Sequence, residues 1–234
     1  MSPAAAQVAE PMPLDTTRDR SSALRAQLLA ETPSWYNPYV HLAVPSIFGI
    51  AFIAAALSRL AGLTFTQLAA VPLTYLFANA VEWWAHKYLL HHRNPLAPVL
   101  YDQHTPKHHM VYTHEDMAIR DIREFRMVLI PAYGIMLIGL SILPVGALIG
   151  HLLGANVGAL YAATAMAYAV CYEWLHLSYH LDPQSRVGRT ALVNWLRRHH
   201  TIHHDPRLMQ NQNFNVTVPL WDHVMGTATT THDR

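Results

Sequence analysis

The 234-residue chain has one cysteine, Cys171. That excludes a disulfide framework, a cysteine-based zinc site, an Fe–S cluster and a thiolate copper centre. Cys171 lies in an apolar run and reads as a small core residue. Charge is scarce too. Asp, Glu, Lys and Arg together make up 13% of the chain, about half the usual share of a soluble domain. With a net charge of +1 and no basic cluster interleaved with aromatics, no nucleic-acid partner is expected. Residues 1–30 lack an apolar h-region, so no cleavable signal peptide is expected. Neither a nucleotide-binding fingerprint nor a haem-attachment motif occurs.

What is present is apolar and long. From Met127 to Tyr172 no Asp, Glu, Lys or Arg appears over 46 residues, enough for two spanning helices of about 20 residues each and a turn. His151, Gly154 and Asn156 mark that turn. With the apolar runs Leu42–Leu57 and Leu60–Val81, the pattern predicts four spans, about 39–58, 63–84, 127–149 and 156–175. A soluble bundle is the alternative, but its helices would keep a polar face. Four spans place 15 of the 16 Lys and Arg residues on one side, Arg59 being the exception; the positive-inside rule makes that side cytoplasmic. The fold expected is all-α and integral to the membrane: about four transmembrane helices capped by a cytoplasmic, helical, histidine-rich domain. Residues 1–20 read as disordered and Ser22–Glu31 as a short helix. Around Leu192, Trp195 and Leu196, set against Arg189, Arg197 and Arg198, the pattern is that of an interfacial helix.

Histidine is abundant: 17 residues, more than Lys and Arg together. Thirteen fall in two stretches, 86–114 and 176–204, as His86-x4-His91-His92, His104-x3-His108-His109, His176-x3-His180 and His199-His200-x2-His203-His204. Spacings of three and four put side chains on one helix face. An adjacent doublet points two imidazoles in different directions, which suits two ions. Imidazole binds iron, zinc, copper and nickel. The isolated His41, His151, His223 and His232 read as bystanders. Glu82 precedes His86 by four residues and Glu173 precedes His176 by three. Each is expected to support a metal-binding ring by accepting its other N–H, or else to be an interfacial acid.

The chain resembles the fatty acid hydroxylase / sterol desaturase superfamily over about residues 40–228. The most specific part is His200-x2-His203-His204 followed by Asn213-Phe214-Asn215-Val216-Thr217, Pro219-Leu220-Trp221-Asp222 and Gly226-Thr227. Box by box, the resemblance implies ten metal ligands: His86 and His91; His104, His108 and His109; His176 and His180; His200, His203 and His204. Many members have two residues before the second doublet where this chain has three, which singles out His104; His92 or His199 could replace a doublet partner. The division implied is a flexible N-terminal arm (1–38), a membrane-embedded hydroxylase-type domain (39–228) and a C-terminal tail (229–234). Two iron ions are implied, with zinc as a substitute in isolated protein, and O2 as co-substrate. The reaction implied is O2-dependent hydroxylation of an unactivated C–H bond in a membrane lipid, with electrons from a separate ferredoxin or cytochrome and its reductase. Desaturation or ether-bond oxidation at the same centre is an alternative, as is a zinc hydrolase or non-catalytic zinc-binding membrane protein.

Overall fold

The computed structural model describes residues 17–232, and these are helical, with no β-strand among them. In chain order the α-helices are α1 (Thr17–Ala30), α2 (Pro38–Leu57), α3 (Ala70–Ala85), α4 (Pro98–Gln103), α5 (His109–Val111), α6 (Phe125–Val128), α7 (Ala132–Leu153), α8 (Ala155–Tyr179), α9 (Ala191–His203) and α10 (Leu220–Val224). Four long helices, α2, α3, α7 and α8, form one bundle. Its core is Ile135, Ile142, Ala162 and Met166, with Phe48, Phe52 and Val170 packed around them. On the outside Ile47, Ile50, Leu73, Phe77, Leu137 and Leu140 are exposed. An apolar rim around an apolar core is what a lipid solvent selects, since it repels no hydrocarbon.

Two stretches, Pro38–Leu57 and Ile122–Leu153, are long and apolar enough to cross a membrane. The helices expected over 63–84 and 156–175 form, but differ from a plain span. The first is a 3-10 turn, Phe65–Ala69, leading into the 16 residues of α3. The second is 25 residues long and carries Glu173 and His176 near its end. The turn expected near Gly154 is there. Gly154 has φ of +104°, a conformation glycine adopts without a Cβ clash. Asn156 ties it to the preceding hairpin by bonds to both backbone groups of Ala61 and to the Gln67 amide.

Two expectations need correction. The arm is not loose over 17–30: the helix expected from Ser22 starts five residues earlier. Its residues 1–16 lie outside the described part, but Thr17–Ala30 is helix and buries Ser21, Arg25 and Leu28. In α9, expected as an interfacial helix with Leu192, Trp195 and Leu196 on its apolar face, Leu192 and Trp195 are exposed, but Leu196 is buried and Arg197 points inward. Its guanidinium donates to the carbonyls of Ser178, Tyr179 and Leu181, satisfying the end of α8 where helical carbonyls have no partner. The charge pattern of a single helix could not show that a neighbouring helix ends against it.

Close contact of α7 and α8 rests on small residues. A Cβ on Gly158 would lie 2.4 Å from the Gly146 carbonyl oxygen and 2.7 Å from Gly150 Cα, whereas one on Gly150 would meet nothing nearer than 3.7 Å. Gly158→Ala should therefore push the helices apart at a cost of about 1–3 kcal/mol and lower the melting temperature in detergent. Gly150→Ala should hold or raise it, alanine being about 0.8–1.0 kcal/mol better than glycine inside a helix.

Candidate metal centre

At one end of the bundle the helices run on past their apolar part and converge with α9. Ten histidines meet there in two groups of five: His86, His91, His104, His109 and His203; and His108, His176, His180, His200 and His204. Within each group the candidate ligand atoms lie within 4.8 Å of one another. All ten side chains are buried. These are the ten box positions. The doublets split as two sites require, with His108 and His109 in different groups, and likewise His203 and His204. The stacked rings of His109 and His204, 4.1 Å apart, join the groups.

The local backbone explains an awkward spacing. His86 and His91 are five residues apart, as are His104 and His109, and in an α-helix such pairs diverge by about 140°. Both stretches are π-helical instead: His86–Leu90 follows α3 and His104–His108 follows α4. The His91 amide bonds the His86 carbonyl across five residues. A π turn returns the fifth residue to the same face, and such turns occur often at functional sites. The extra residue before the second doublet thus belongs to the π turn. It puts His104 with His109 and leaves His108 to the other group.

Backbone carbonyls orient the rings. The Nδ1–H groups of His108, His180 and His203 donate to Met127, Met117 and Gln212 at 2.9, 2.8 and 2.8 Å. His86 donates likewise to Phe214, His204 to Tyr112 and His176 to Val128. A ring protonated at Nδ1 presents a lone pair at Nε2. The Nε2 atoms of His108, His176 and His180 are buried without a partner. Three lone pairs converging on one buried space with no donor among them call for a cation. In the other group, Nε2 of His104 lies 2.9 Å from that of His86 and 3.0 Å from that of His109. That is about the spacing of neighbouring ligands on one ion bound at roughly 2.1 Å. The residues fit a pair of imidazole-held metal ions.

Neither Glu82 nor Glu173 touches an imidazole. Glu82 accepts from the Val216 and Thr217 amides and from the Thr217 and Tyr168 hydroxyls. It holds the loop whose Phe214 carbonyl receives His86. Glu173 accepts from the Ile130 amide at 3.1 Å, two residues beyond the Val128 carbonyl that receives His176. His92 is exposed and bonded to the Lys87 carbonyl, and His199 bonds Asp222; neither enters a group. His223 is exposed, and His41 bonds Tyr36 and the Ile130 carbonyl.

Two residues secure the loop: sequence reasoning missed Asn79, and it placed Asp222 in the motif without giving it a role. Asn79 bonds Val218, Thr217, Tyr168 and the Trp221 amide. Asp222 accepts from the Phe214 and Asn215 amides, the Thr227 hydroxyl and His199. The signal for Asn79 was an amide inside an apolar run. A third cluster, His114, Asp205 and His232, also falls within ligand distance, but its carboxylate is engaged at both oxygens by Arg207 and reads as an ion pair.

The chain matches the model of the family described as fatty acid hydroxylase over residues 71–227. That range takes in both groups of histidines and the loop behind them. No curated protein and no solved structure matches the chain.

Burial, with the neighbouring imidazoles, holds all ten rings below the ordinary 6.5. For His108 and His203 the value is about 4. At neutral pH the rings are neutral and ready to bind metal. Between pH 6.5 and 4 an unfolded chain takes up protons that the folded one refuses, so stability falls as pH falls. Chelator-treated protein should keep its melting temperature above pH 6.5 and lose it progressively towards pH 4; a flat profile over that window would refute the burial of neutral imidazoles.

Proposed function

Since the chain belongs to the fatty acid hydroxylase family, we propose that it is an integral-membrane oxygenase that hydroxylates an unactivated C–H bond of a lipid at a histidine-held di-iron centre. The observation that carries this reading is the pair of abutting all-imidazole groups at the end of an apolar bundle. Ligands of this kind suit iron, and they suit zinc equally, so isolated protein is expected to carry either. Iron bound there would supply the redox chemistry for O2 and two electrons, drawn from a separate ferredoxin or cytochrome and its reductase.

The chain's own residues hold, orient and exclude. His86, His91, His104, His109 and His203 would hold one ion, and His108, His176, His180, His200 and His204 the other. The carbonyls of Phe214, Gln212, Met117, Met127, Val128 and Tyr112 fix the rings. Glu82 acts through the 214–217 loop and Glu173 through the Ile130 peptide, each one step behind a metal-binding ring. Burial of the rings keeps bulk water from the reacting centre. In this reading α2, α3 with its preceding turn, α7 and α8 cross the membrane, both termini and the ten grouped histidines are cytoplasmic, and the substrate arrives from the bilayer.

Lipid analysis of cells with and without the gene, grown under 18O-labelled O2, tests the reading. The expected product is a lipid that gains one labelled oxygen. It should disappear with His203→Ala, which removes a ring shared with the His91 contact at 3.0 Å, and persist with the exposed His223→Ala. A product lacking hydrogen but unlabelled would make the enzyme a desaturase, and no oxygen-dependent lipid change would defeat the proposal.

A further inference from the structure

The N-terminal helix lies outside the family match of residues 71–227, yet it is bonded to the segment whose carbonyls orient two of the imidazoles. Arg25, only 4% exposed, donates to Glu124 Oε2 at 2.7 Å and to the Ala118 carbonyl at 3.0 Å. It also lies 3.4 Å from Asp116 and 5.1 Å from the centre of the Tyr112 ring. Beside it, the Ser21 hydroxyl donates to the Val111 carbonyl at 2.7 Å. Glu124 is fully buried and accepts from the Tyr112 hydroxyl at 2.9 Å and from the amides of Arg120 and Asp121. A guanidinium with several fixed acceptors is a rigid fastening. Residues 111–124 are thereby stapled to α1.

The other side of that segment meets imidazoles. The Tyr112 carbonyl receives His204 Nδ1–H, and the Met117 carbonyl, next to the Ala118 peptide that Arg25 holds, receives His180 Nδ1–H. The Ile119 amide also donates to the His180 carbonyl at 2.8 Å. His180 and His204 belong to the same group of five. The first group looks elsewhere: His86 and His203 donate to Phe214 and Gln212, and His91 lies beside the Thr105 hydroxyl. We infer that Arg25 is a positioning residue for one metal site only: α1 clamps the carbonyls that orient His180 and His204, while the C-terminal loop held by Glu82, Asn79 and Asp222 serves the other site. The inference rests on the metal-binding reading above. It makes the N-terminal helix a working part of the centre and the two sites separately tunable.

The test is a chelator titration of full-length protein in detergent, loaded with zinc as the probe metal. Wild type should carry two ions per chain, released in two phases. In Arg25→Met one phase should shift by about 10–100-fold, the usual cost of losing support behind a ligand, and the other should stay. Adding His200→Ala should remove the shifted phase, and adding His109→Ala the unshifted one. Arg25→Lys, which restores a donor to Glu124, should recover part of the shift, as a general packing defect would not. Should Arg25→Met fail to fold, Tyr112→Phe removes only the hydroxyl link and should shift the same phase in the same direction. Two phases that move together, or neither moving, would overturn the inference while the metal reading stands. A wild type unable to hold two ions would overturn the reading itself, and the inference with it.

Discussion

Ten imidazoles share one buried volume, and neither group of five includes a carboxylate. That constraint shapes most of the fold. Protonated rings could not be packed so closely in low dielectric, so each must stay neutral. A neutral ring has one N–H to satisfy and one lone pair to aim. For six of the ten the N–H goes to a backbone carbonyl, which means a peptide must be brought to each ring at a set height. The segments 111–118, 127–130 and 212–217 do this. Their own polar groups are in turn satisfied by Arg25, Glu82, Asn79, Asp222 and Glu173. The inward lone pairs are left for a cation, whose charge offsets what the chain does not supply.

The bundle beneath serves the same end. α3 and α8 are apolar along most of their length and carry histidines where they end, α3 through a π turn. α7 and α8 come close because glycines face each other, and α9 lies across the end of α8 with Arg197 on its last carbonyls. Rigid helices thus bring four of the ten rings, and α9 with its exit three more. Precision of this kind is what a metal site needs, because a ligand held only by its own rotamers loses affinity to side-chain freedom.

Much of this was legible in the sequence. The histidine boxes stood out because spacing and density reveal residues that serve a common site. The turn at Gly154 showed because a glycine broke a charge-free run. What stayed hidden depends on contacts distant in sequence. The π turns were invisible because hydrogen-bond register is not written in composition, so the extra residue before His108 looked like a departure. The carboxylates Glu82 and Glu173 share a helix face with ligands, and direct contact was the natural expectation; yet carbonyls took that place, since backbone oxygens can approach from loops that spacing does not locate. Nothing in the sequence singled out Arg25, because its partners Ala118 and Glu124 lie more than ninety residues away.

In the proposed centre two metal ions would sit side by side, each held by its own five imidazoles. Anomalous X-ray scattering from crystals of the metal-loaded protein, collected on either side of the absorption edge of the bound element, tests it most directly. Two peaks per chain are expected, one among His86, His91, His104, His109 and His203, the other among His108, His176, His180, His200 and His204. A single peak, or a peak confined to the His114–Asp205–His232 cluster, would contradict it.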